Sequence, residues 1–191
     1  RFLKFGTAQA ERLRIDSSGL LLVGTTTEGH ANADDLTIAT SGHTGISLRS
    51  GTSNNGSIFF SDGTSGADEY RGWVQYTHST DYLTFGTNAG ERLRIDSNGR
   101  LLLGNTTLGE GSADNLTITD SAHCGITIRS GSSSGGNLFF TDLTSGDQFQ
   151  GFVQYDHSSN HLGFGTQKIE RMRIDSSGRV AIGTNTTNTS D

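Results

Sequence analysis

Residues 11–27 read ERLRIDSSGLLLVGTTT, and this stretch decides the fold. In its first part the apolar Leu13 and Ile15 alternate with Arg12 and Arg14, the period of a half-buried strand. Leu20–Val23 is a continuous apolar run, as expected of a strand covered on both faces. Between them, Asp16, Ser17, Ser18 and Gly19 put Asp at the first and Gly at the fourth position of a turn. The Gly admits a positive φ, and the Asp carboxylate accepts backbone N–H bonds. The prediction is a β-hairpin.

The hairpin recurs. Residues 91–107 read ERLRIDSNGRLLLGNTT, identical to the first copy at 13 of 17 positions, and 170–186 read ERMRIDSSGRVAIGTNT. The intervening sequence repeats too: 36–66 and 116–146 agree at 18 of 31 positions, and 71–87 matches 150–166. The offsets are 80 and 79 residues. The lost residue falls where ADEYR (67–71) faces DQFQ (147–150), which predicts an exposed loop. The chain is therefore divided into the end of a preceding repeat (1–10), repeat 1 (11–90), repeat 2 (91–169) and the start of a third (170–191). Starting at Arg1 and ending within a repeat, it reads as a window cut from a longer array.

Two further hairpins are predicted in each repeat. One runs from GISLR (45–49) to SIFF (57–60), the other from GWVQY (72–76) through a turn to YLTFG (82–86). AQAER (8–12) is the one stretch read as a helical turn. Short strands between Gly, Ser, Asn and Asp turns mean an all-β chain. The 191 residues contain 27 Gly and no Pro, and only 31% are hydrophobic. So little apolar bulk makes two independent cores hard to build, and a core shared between repeats or chains is expected. The absence of Pro suits continuous ladder pairing. The net charge of −6 argues against nucleic acid as partner, and no run is long enough for a membrane helix, so no membrane insertion is expected. The single Cys124 excludes an intramolecular disulfide framework and is read as a small apolar side chain.

ERMRIDSSGRVAIGT (170–184) resembles the repeats of bacteriophage tail fibres, especially those of marine and cyanobacterial phages. The pattern Tyr76, His78, Ser79, Leu83, Phe85, Thr87, repeated at Tyr155, His157, Ser158, Leu162, Phe164, Thr166, is also similar to theirs. The resemblance implies an elongated tandem-repeat fibre of β-hairpins, an intertwined homotrimer of the β-prism or triple β-helix type. It also implies a virion, hence extracellular, location and a shaft that positions a receptor-binding tip. Asn188, Thr189 and Ser190 stand where relatives often carry Ser-Pro, which concerns the loop shape there.

Repetition bears on chemistry, because an enzyme needs one constellation and not copies of it. Arg14, Asp16 and Gly19 recur as Arg94, Asp96 and Gly99 and as Arg173, Asp175 and Gly178. They are read as structural: Asp caps the turn, and Arg makes a charge pair across strands or subunits. His43/His123 and His78/His157 recur without metal-ligand spacing and are read as turn or interface residues, with no metal or cofactor expected. Asp62, Asp68 and Glu69 are the carboxylates weighed for glycoside cleavage, but the second copy offers only Asp142, Asp147 and Gln148. No catalytic residue is assigned. Tyr70, Trp73, Tyr76 and Tyr82 correspond to Phe149, Phe152, Tyr155 and His161, and are read first as packing residues. Asn-x-Ser/Thr triplets at Asn55, Asn105, Asn115, Asn185 and Asn188 are read as loop composition. A shaft segment whose main partner is itself is the leading expectation. The alternatives are a host-glycan module or depolymerase contacting sugar through Tyr70, Trp73, Asn54 and Asn55, and a repeat of a bacterial or environmental surface filament.

Overall fold

The computed structural model describes residues 2–142 and 149–183. The fold is all-β, with 42% of the described residues in strands and 3% helical, in three open, mostly antiparallel sheets. Two compact units divide it, one ending at Asp120 and one starting at Ser121.

The first unit holds two sheets. In the first, β1 (Leu3–Thr7), β2 (Ala10–Ile15), β3 (Leu21–Val23) and β4 (Leu36–Ile38) lie side by side in chain order. The second sheet has β5 (Asn55–Phe60), β6 (Gly72–Thr77), β7 (Tyr82–Thr87), β8 (Gly90–Ile95), β9 (Leu101–Leu103) and β10 (Leu116–Ile118), again as sequential neighbours. The second unit repeats this design with β11 (Gly135–Phe140), β12 (Gly151–Asp156), β13 (His161–Thr166), β14 (Ile169–Ile174) and β15 (Val180–Ile182). One turn of 3₁₀ helix, Gly66–Tyr70, occupies the loop before β6.

The DSSG hairpin forms as expected. β2 pairs antiparallel with β3, Arg14 opposite Leu22, and the equivalents follow in β8–β9 and β14–β15. The hairpin β6–β7 also forms, from Gly72↔Thr87 to Thr77↔Tyr82. Three expectations are corrected. Ala8 and Gln9 are not helical: both have positive φ (50° and 64°) and make a two-residue turn between β1 and β2. Its copies at Asn88-Ala89 and Gln167-Lys168 do the same, the type I′ geometry that matches strand twist. The run Leu20–Val23 is not covered on both faces. Leu22 is fully buried, but Leu21 and Val23 on the opposite side are only half-buried. Finally, GISLR (45–49) does not pair with SIFF. β5 takes β6 as its partner, Ile58 opposite Val74, and 45–50 forms no strand. The tight turn from Gly51 to Asn54 carries the chain out of the sheet plane, so that Leu48 runs above Gly56.

A feature absent from the sequence reading is the parallel pairing of β3 with β4 and of β9 with β10. Parallel neighbours need a crossover. Here it is an irregular loop, tied down where Gly29 N–H and Gly109 N–H donate to the hydroxyls of Thr37 and Thr117, at 3.0 and 3.1 Å. Thr37 and Thr117 share a sheet face with Leu22 and Leu102, the two fully buried side chains. The crossover loops therefore cap that face, and the small intrachain core sits beneath them.

Candidate functional site

The recurrent Arg and Asp residues occupy two neighbouring structural sites at the turn end of one hairpin. Asp16 caps the turn: its Oδ1 accepts the N–H of Ser18 at 2.8 Å and of Leu20 at 3.0 Å, and Gly19 takes φ +91°. Asp96 and Asp175 repeat both bonds, and Gly99 and Gly178 each have φ +80°. The N–H bonds from Leu20 and Ser18 hold the Asp16 carboxyl below its usual range, and those from Arg100 and Asn98 do so for Asp96. Arg100 adds ion pairs to Asp96 (2.8 Å) and to Asp114 in the crossover loop (2.7 Å).

The Arg partners differ from the expectation of a charge pair across strands or subunits. Arg14, Arg94 and Arg173 each grip a carboxylate three residues back on their own strand: Glu11, Glu91 and Glu170. In a regular strand such residues face opposite sides. A β-bulge at Arg12, Arg92 and Arg171 adds one residue to that strand and brings the pair onto one face. The contacts are bidentate; for Arg94 they are 2.6 and 2.8 Å. In the first copy Lys4 joins at 2.8 Å, and the hydrogen bonds from Arg14 and Lys4 pull the Glu11 carboxyl down to about 2.

A ring slot goes with each pair, and the sequence reading missed it. Phe2 lies 4.9 Å from the Arg14 guanidinium and Tyr82 4.4 Å from that of Arg94. The third copy has His161 in this slot, buried, with Nε2 3.4 Å from Glu170 Oε2 and Nδ1 2.6 Å from Ser159 Oγ. Ser, His and Glu in a row resemble a hydrolytic relay. Here, however, both oxygens of Glu170 are held by Arg173, at 2.5 and 2.8 Å, and the imidazole fills a position that Phe2 and Tyr82 fill elsewhere. The cluster orients a ring.

The four glycan-contact candidates do not form one patch. Tyr70 and Trp73 are adjacent, ring centroids 6.3 Å apart. Trp73 pairs with Phe59 near one end of the β5–β6 pair, whereas Asn55 pairs with Thr77 at the other end, with Asn54 just before it. Trp73 lies across Gly86 and its Nε1 donates to Thr84 Oγ1 at 3.3 Å. Asp62 and Asp68 both bind Arg71, at 3.3 and 2.8 Å. His78 and His157 stack edge-on against Tyr76 and Tyr155, at 5.0 and 4.9 Å, and His43 and His123 are exposed. Among the described residues no group of three or more His, Cys, Asp or Glu converges as metal ligands. Asp147, Gln148, Asn185 and Asn188 lie outside the described residues.

What the sheets do share is an apolar face opposite the Arg–Glu face. The registers of the second sheet place Ile58, Phe60, Val74, Tyr76, Leu83, Phe85, Leu93 and Ile95 on that side, followed by Leu101, Leu103, Leu116 and Ile118. The third sheet repeats it with Leu138, Phe140, Val153, Tyr155, Leu162, Phe164, Met172 and Ile174. The first sheet follows suit with Leu3, Phe5, Leu13 and Ile15. None of these side chains is buried: Ile58 is 51% exposed, Phe60 61%, Leu138 53% and Phe140 57%, and others, among them Val74, Leu83 and Leu162, are half-buried. The segments 45–50 and 125–130 border this face and form grooves with it. One, of about 330 Å³, is lined by Ile46, Leu48, Ile58, Val74, Tyr76 and Leu83. Its counterpart, of about 420 Å³, is lined by Ile126, Ile128, Leu138, Val153, Tyr155 and Leu162. The signal was in the sequence as strict alternation, but which face was apolar on every strand at once depended on the bulges and registers.

No protein-family model matches the chain, and no curated protein matches it. None of the described helical segments is long and apolar enough to cross a membrane.

Proposed function

We propose that this chain is a structural, self-associating repeat: a shaft segment of a tail-fibre-like assembly, in which copies of the chain, three in the leading arrangement, wind together and space a binding tip from the particle that bears it. One observation carries the reading. All three sheets leave the corresponding face apolar and without a buried residue, while in the first two the crossover loops cap the other side. Monomeric proteins rarely expose contiguous apolar surface on this scale, and such surface marks an interface. The face repeats with the 80-residue unit. A partner that covers every copy needs the same period, and another copy of this chain has it. The reading needs no catalytic group, and it places the protein on the exterior of a virion. A surface filament built of the same unit would use the face in the same way.

The test is the native mass of the purified chain by light scattering and native mass spectrometry. A trimer is the expected result, and a monodisperse monomer would overturn the proposal. The Tyr70–Trp73 ring pair supports glycan contact as a second, compatible activity, which binding on a glycan array would reveal.

A further inference from the structure

The segments 45–50 and 125–130 have the pattern of strands without being strands. Ile46 and Leu48 alternate with Ser47 and Arg49, yet among the described residues no backbone hydrogen bond reaches 45–50 or 125–130. Ile46 is 66% exposed and Ile126 70%. At the end of each segment a buried hydroxyl, that of Ser50 and of Ser130, has no partner. The two copies share this state, so it is a property of the design.

The sheets offer matching vacancies at their edges. Natural edge strands are blunted by shortness, charge, Pro or bulges. β4 and β10 have three residues each, and β1 carries Lys4 and faces a bulge. β5 (NGSIFF) and β11 (GGNLFF) have none of these devices: each is six residues long, uncharged, free of Pro, and in unbroken register with its one neighbour. They are open edges that invite another strand.

Covering the apolar face also covers the segments that border it. Their N–H and C=O groups would then leave water, and a buried backbone group without a partner is costly. Hence the association that hides the apolar face must also supply hydrogen bonds to 45–50 and 125–130. We infer that these segments are intermolecular strands: Gly45–Ser50 of one copy adds to the β5 edge of a neighbouring copy, and Gly125–Ser130 to the β11 edge. Donor segment and acceptor edge occur once each per repeat, so each copy gives one strand and receives one at each level. A ring of copies then closes with every donor segment and every β5 and β11 edge used.

This rests on the self-association proposed above, and the two fail separately. Hydrogen exchange is measured on the intact chain whose native mass has been determined. Amides of Ile46–Ser50 and Ile126–Ser130 are expected to exchange at least about 100-fold more slowly than unprotected amides. Unprotected exchange in an oligomer would overturn the strand assignment and leave self-association standing; a monomer would overturn both. The edge is tested in a Cys124→Ser background by mixing chains carrying Ser47→Cys with differently tagged chains carrying Ser57→Cys. After co-assembly, a short flexible bis-maleimide is expected to link the two kinds of chain. Links confined to pairs of Ser47→Cys chains, or none, would overturn pairing at the β5 edge.

Discussion

At the scale of single residues, the recurring unit is an Arg–Glu pair beneath a ring. Arg94 binds Glu91 through two nitrogens and stacks under Tyr82, with its side chain 16% exposed. Lys has neither the planar fork nor the stacking face. Arg94→Lys is therefore expected to cost about 1–2 kcal/mol, read as a shift in denaturant midpoint. A second residue-scale device is the bare strand position under Trp73 and Phe152. A Cβ at Gly86 or Gly165 would come closer than 3.0 Å to the ring. Gly86→Ala is expected to destabilise by about 1–3 kcal/mol, because a close-packed ring must move. Gly42→Ala, where a Cβ meets open space, should change stability by less than about 0.5 kcal/mol. The Gly–ring pairs were present in the sequence as letters, but only the cross-strand register Trp73↔Gly86 joins them.

At the scale of elements, turn chemistry separates what is easy to read from what is not. The DSSG and DSNG turns state their geometry outright. The two-residue turns do not, since Ala8-Gln9 and Gln167-Lys168 are poor formers of a left-handed pair and only Asn88-Ala89 hints at it. Ala89 holds φ +54°, so Ala89→Gly is expected to stabilise by about 0.5–1 kcal/mol, measured by urea unfolding. The capped turns also set an acid limit. Asp16 and Asp96 are held low by turn N–H groups. Asp156 is lowered to about 2 by the Ser158 hydroxyl and the N–H groups of Ser159 and Ser158, and Glu11 to about 2 by Arg14 and Lys4. Folded values below the unfolded ones mean that stability is fully present above the unfolded carboxyl range and is lost as pH falls through the folded values. The thermal midpoint should hold steady above about pH 5 and fall between about pH 4 and 2. A midpoint that is flat down to pH 2 would contradict the capping account.

At the scale of the whole molecule, the question is which face is meant to be dry. Under the crossover loops, Leu22 and Leu102 are buried by the chain itself. The opposite face bears Phe60 at 61% exposure and Ile58 at 51%. Phe60→Asp puts a charge on the open face without disturbing the intrachain core. It is expected to lower the native mass toward that of a single chain, with the β-sheet circular dichroism retained. Gln75→Ala, on the other face, should leave the mass unchanged.

The sequence by itself determined the repeat, the all-β class, the capped hairpins and the shortage of apolar bulk, because period-two alternation, turn residues and composition act over a few neighbours. Tertiary structure decided the bulges that bring Glu and Arg to one side, the parallel β3–β4 and β9–β10 pairs, and the release of 45–50 from the β5 edge. Those depend on which strand lies next to which, and alternation alone carries no information about the identity of a neighbour.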